Sequence, residues 1–80
     1  MILITARGEM IQDPGYIGYY SDSVPLACNP VIIAAIPKGC NQRVIVGRVY
    51  NDTAAVDAIH KYAIAVKRGS KEIISWNELI

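Results

Sequence analysis

Apolar positions follow two different rhythms along the 80 residues of this chain. Up to residue 50 they come in short runs, punctuated by Gly, Pro, Asn and Asp, and from residue 51 they recur at helical spacing. Short runs rich in Val, Ile and Tyr between turn formers predict strands. Residues 1–6 form the first, apolar enough to lie centrally or to be covered on both faces. Arg7-Gly8-Glu9 then reads as a turn, after which Met10-Ile11 can resume pairing. Asp13-Pro14-Gly15 predicts a second turn, with Pro presetting φ and Gly taking the positive-φ position. Residues 16–20 predict a strand in which Gly18 marks a bulge or a close approach. Residues 21–30, interrupted by Pro25 and ended by Pro30, predict a surface loop. Residues 31–36 and 43–50 flank a tip rich in turn formers and predict an antiparallel hairpin. Gly47 within it is expected to make room for a helix packing across the sheet.

That helix is predicted over residues 51–69. Asn51-Asp52-Thr53 offers side-chain acceptors for the unpaired N–H groups of a first turn. Lys67 and Arg68 suit the negative end of the dipole, and Gly69 suits a left-handed terminator. At about 100° per residue, Ala55, Val56, Ala58, Ile59, Tyr62, Ala63, Ala65 and Val66 fall on one half of the cylinder. Asp57, His60, Lys61, Lys67 and Arg68 fall on the other, with Asp57 placed to pair with Lys61 one turn on. Ile64 stands alone among the polar positions, either as a tolerated surface residue or as an anchor for a partner. After it, Ser70-Lys71 reads as a turn, and residues 72–76 predict the last strand. The order β-β-β-β-α-β implies an α+β fold over residues 1–80 as one domain, a small and mainly antiparallel sheet with the amphipathic helix on one face.

Composition narrows the class of molecule. Hydrophobic content of 52% with 19% charged residues argues against disorder. The longest apolar run, residues 31–36, falls far short of the ~20 residues that span a bilayer, and the opening residues lack a basic-then-apolar leader pattern. A cytoplasmic location without membrane association is therefore expected. The net charge of +1 divides into −2 over residues 1–30 and +3 over residues 31–80, too weak an asymmetry to imply nucleic acid by itself. With no leader, Cys28 and Cys40 read as reduced thiols, though neighbouring strands would let them meet.

No motif specifies a chemistry. A nucleophilic site would need Cys28, Cys40 or Ser75 beside His60, with Asp57 to orient it. A polar-face His beside Asp and Lys is more commonly a solvated group, and no catalytic residue, metal site or cofactor is expected. Gly15-x-x-Gly18 has the spacing of a backbone clamp but lacks basic neighbours and a following helix. Asn51-Asp52-Thr53 also fits the N-glycosylation pattern, which helix capping explains better. Tyr16, Tyr19 and Tyr20 with Lys38, Arg43 and Arg48 could stack on and neutralise a nucleic acid, against the simpler case of half-buried strand tyrosines.

Two family resemblances follow from the second half. Arg43-Val-Ile-Val-Gly-Arg-Val, a polar turn, an Ala-rich helix, a Gly and a final strand resemble, over residues 43–76, the layout of small phage-encoded anti-CRISPR proteins. That resemblance implies a single-domain inhibitor that occupies a surface of a CRISPR effector in a bacterial host. Pro37-Lys38-Gly39-Cys40 and Asp52-Thr53 are similar to elements of HicB-type antitoxins, although they stand further apart here and no DNA-binding segment follows the sheet. Taken together, the expected function is a non-enzymatic, stoichiometric inhibitor of a protein or ribonucleoprotein. The alternative is a nucleic-acid-binding or antitoxin-type regulator. The expected partner-binding residues are Ile64, Lys61, Lys67, Arg68, Tyr16, Tyr19, Tyr20, Lys38 and Arg43, and a sheet edge could also pair two copies of the chain.

Overall fold

A computed structural model describes residues 1–22, 29–69 and 73–80. It shows a mixed α+β fold, with strands β1 (Ile2–Ile4), β2 (Met10–Gln12), β3 (Pro14–Ser21), β4 (Val31–Pro37) and β5 (Val44–Val49), helix α1 (Asp52–Arg68), strand β6 (Ile73–Ser75) and a closing 3₁₀ turn (Trp76–Glu78). The strands form two three-stranded sheets, ordered β2-β1-β6 and β3-β4-β5, rather than one. Pairing is antiparallel except between β1 and β6, which run parallel with Leu3 opposite Ile74. The continuously apolar first strand is central in its sheet, as its sequence implies.

Separation of the sheets starts at Asp13, which takes the positive φ (50°) expected of Gly15. A short polar side chain tolerates that conformation. The bend is held by the Asp13 N–H donating to the Met1 carbonyl (2.8 Å) and the Lys38 N–H donating to the Asp13 carbonyl (2.9 Å). Pro14 follows without an N–H to give, so the ladder of β1–β2 cannot continue, and β3 begins two residues earlier than the sequence suggests. The Met1 ammonium, 2.9 Å from the Asp13 carboxylate, holds that carboxyl below its ordinary value, and Lys38 adds to the effect.

One buried cluster joins every layer. Leu3, Ile11 and Ile74 from one sheet, and Val31, Ile33, Ala35, Val46 and Val49 from the other, meet Ala55, Ala58 and Tyr62 of the helix together with Trp76 and Leu79. The helix ends are as the sequence implies. The Asn51 side chain accepts from the Ala54 N–H at 2.8 Å, and Gly69 closes the helix in the left-handed region (φ 62°). The buried face is narrower than the predicted half-cylinder. Ala55, Ala58 and Tyr62 are buried, Val56, Ile59 and Ala65 half-buried, and Ala63 and Val66 exposed. A helix on a flat sheet contacts it along a stripe, so residues at the margins of the apolar half stay open.

Gly47 has a different role from the one expected. A Cβ there would lie 2.6 Å from the Trp76 ring, so the glycine accommodates the tryptophan that follows β6 rather than the helix. Trp76 itself opens the 3₁₀ turn instead of ending a strand, and the Glu78 carboxylate accepts from the Ser75 N–H at 2.9 Å. A bulge on β5 places Val46 and Gly47 successively against the core, and the Ala6 N–H donates to the Val46 carbonyl at 2.7 Å. The Asp57–Lys61 pair is not closed. Both side chains are exposed, where such a pair returns only a few tenths of a kcal/mol against the entropy of ordering it. Among the described residues, no helix is long and apolar enough to cross a membrane. Cys40 is exposed, whereas Cys28, and with it the question of a pair, lies outside the described residues, as do the Ser70-Lys71 turn and residue 72.

Candidate functional site

The expected partner-binding residues divide among separate surfaces. Lys61, Ile64 and Arg68 come together on α1, where they border a groove of about 240 Å³ with Ala65, Ile74, Glu78 and Leu79. The groove exists because β6 and the 3₁₀ turn lie along one flank of the helix, leaving Ile64 at its lip with half of its surface exposed (51%). A second depression of about 340 Å³ adjoins it, sharing Lys61 and Leu79 and bordered by Tyr50, Ala54, Asp57 and Ile80 among others. Tyr50 and Ile80 are more exposed still, at 71% and 63%. Three large apolar side chains thus stand open along one strip, with Lys61 between its two hollows. Asp57 and Glu78 balance part of the charge of Lys61, Arg48 and Arg68 around it.

Tyr16, Tyr20 and Arg43 belong to another surface, the side of the β3-β4-β5 sheet away from the helix. Tyr16 and Tyr20 share a face with Gly18 by strand alternation, opposite Ile36, Ile32 and Ala34. The Tyr16 ring lies across Gly18, where a Cβ would come within 2.9 Å of its hydroxyl. The Arg43 guanidinium sits 4.5 Å above the Tyr20 ring, a cation–π geometry that occupies the ring face. Arg48 donates to Asp22 at 2.8 Å on the side where Ile32 is buried. The tyrosines and arginines therefore cover the sheet's own apolar residues. Tyr19, one residue out of phase, falls by strand alternation on the helix side with Ile17 and Ile33, although it also borders the small hollow of about 80 Å³ lined by Tyr16, Tyr20 and Arg43. Gly15 and Gly18 both lie within β3, so they form no loop that could clamp a backbone.

Lys38 and Lys67 line none of these hollows, Lys38 serving the Asp13 bend and Lys67 ending the helix. His60 is exposed on α1 and also lines none of them. Among the described residues, no cluster of three or more His, Cys, Asp or Glu could hold a metal ion. Tyr50, Leu79 and Ile80 are the residues that sequence reasoning missed. In the sequence Tyr50 reads as the end of a strand, and residues 77–80 offer too short a run to define an element. The one available signal was Ser75-x-x-Glu78, the spacing of a helical start. Compared with protein-family models, with curated proteins and with solved structures, the chain matches none.

Proposed function

We propose that this protein is a non-enzymatic interaction module that binds one partner stoichiometrically, as an inhibitor of a protein or ribonucleoprotein complex would. The observation that carries this is the strip of Tyr50, Ile64 and Ile80 around Lys61. Well-packed apolar anchors ringed by charge are the usual centre of a protein interface, where a few residues supply most of the binding energy. The basic groups Lys61 and Arg68 favour an acidic patch on the partner. An anti-CRISPR role is one form of this proposal, and its support is the layout of residues 43–76.

The test is affinity capture from a bacterial lysate with the parent chain and with Ile64→Glu and Tyr50→Ala, followed by quantitative mass spectrometry and titration against the purified partner. The expected result is a protein retained one-to-one by the parent and lost with either variant, at unchanged helix content. Partners held equally by all three chains would overturn the assignment to this strip. Binding that appears only with nucleic acid, and that weakens steeply with salt, would favour the regulator instead.

A further inference from the structure

On the side of the molecule where the β1–β2 turn stands away from β5, the two sheets part to leave a cleft of about 680 Å³. Ala6, Arg7 and Glu9 form one wall, Trp76 lies against Gly47, and the other wall is the chain from Arg43 to Arg48. Consecutive residues of that wall all border the space. Side chains of a strand alternate between its faces, so a cavity touching every residue in turn runs along the strand's edge. β5 is an edge strand in the order β3-β4-β5. Its free side already receives a backbone donor at one point, where the Ala6 N–H meets the Val46 carbonyl at 2.7 Å. Beyond Ala6 the chain turns away at Gly8, whose N–H donates to the Thr5 carbonyl, and a second bond from the Thr5 N–H to the Glu9 carbonyl fixes the turn. The slot beside residues 43–45 is thereby left open.

Its charge is lopsided. Arg7, Arg43 and Arg48 border it against Glu9 alone. Arg48 is held by Asp22, Arg43 engages Tyr20 through its guanidinium plane, and Arg7 is only loosely opposed to Glu9 at 3.8 Å with an 83% exposed side chain. We propose that this cleft takes an extended acidic peptide segment of another protein, which adds as a strand along residues 43–45 and sets its carboxylates between Arg7 and Arg43. A free strand edge supplies main-chain hydrogen bonds, and flanking arginines select for acidic side chains. Nucleic acid suits the cleft less well. Trp76 is buried, and Arg43 covers Tyr20, so no open aromatic face is available for a base. This contact is separate from the α1 strip and does not depend on it.

Panning a random linear heptapeptide library, displayed on phage, over the immobilised full chain tests the proposal. Enriched sequences are expected to carry Asp or Glu at alternate positions and no internal Pro. Fluorescence anisotropy of the best synthetic peptide should show binding weakened by about tenfold or more in Arg43→Glu and in Arg7→Glu. Methylating alternate backbone amides of the peptide should abolish binding, while Ile64→Glu should leave it unchanged. Circular dichroism establishes that each variant is folded, and Arg7, being outside the core, keeps the test valid if Arg43→Glu is not. Absence of enrichment, enrichment without acidic residues, or indifference to backbone methylation would each overturn the proposal. So would displacement of the peptide by oligo-dT of equal charge at lower concentration.

Discussion

Gly47 shows how a single missing Cβ can set the position of a larger residue. The Trp76 ring occupies the space a side chain would need, and both residues are buried. Gly47→Ala must push that ring out of a packed core, which costs about 1–3 kcal/mol. The gain of roughly 0.5–1 kcal/mol from replacing a strand glycine does not offset it. Urea denaturation should show a lower midpoint with an altered native tryptophan emission, and a neutral or stabilised variant would remove Trp76 as the cause. Tyr62 makes a second prediction at this scale. Burial pushes its phenol above the ordinary value near 10. Between that value and the higher folded one, the unfolded chain loses a proton that the folded chain keeps, so folding stability falls as pH rises through this window. Tyr62→Phe should therefore lose less stability than the parent as pH rises above the ordinary phenol value, as compared by denaturation at each pH. Equal slopes would mean that the hydroxyl is solvated. The sequence marked Tyr62 as core, because helical spacing reports which side a residue faces. It could not place Trp76 against Gly47, because that contact joins residues 29 apart in the chain with no local signal between them.

At the scale of elements, the helix was legible at its ends and less so around its circumference. Asn51 and Gly69 act through their own backbone neighbours, so capping follows from sequence alone. The width of the buried stripe depends on what lies underneath. Ala58 is almost fully buried, whereas Ile59, central in the predicted face, is half-buried. A charge at the first has no route to water, so Ala58→Asp should cost several kcal/mol, above about 3, and abolish the helical signal. Ile59→Asp should retain the fold with a smaller loss, and thermal denaturation of both variants ranks them. The reverse order would mean that α1 is rotated on the sheet. Ile64 belongs to the same argument. Its isolation among polar positions was visible in the sequence, but the groove it borders needed β6 and the 3₁₀ turn to close one side. Ile64→Glu should keep stability within about 0.5 kcal/mol of the parent, because the site is exposed and open to solvent. A larger loss by urea titration would mark it as structural and shift the binding surface to Tyr50 and Ile80.

At the scale of the whole molecule, the parallel pairing of β1 with β6 brings opposite ends of the chain together, with Ile2 beside Ile73 and Leu3 beside Ile74. Neither strand declares that partner. A run of three apolar residues fits several registers, and the closing of so long a loop is decided by the common core that it completes. Leu3 and Ile74 are among the most deeply buried side chains, and the cluster containing them reaches α1 and the second sheet without a break. A core shared in this way predicts that the two sheets and the helix unfold together. Trp76 emission reports the junction between the sheets, and far-ultraviolet ellipticity reports mainly α1, so the two urea transitions should coincide. Ile74→Ala should lower both midpoints equally, at a cost of about 2–5 kcal/mol, and Leu3→Ala should do the same. Because these side chains share one site, the double variant should lose less than the two single losses combined, with a coupling of roughly 0.5–3 kcal/mol. If the tryptophan transition came first and ellipticity stayed at its native value, β2-β1-β6 would be a separable layer, and the strip that depends on β6 and Leu79 could open without the rest of the molecule unfolding.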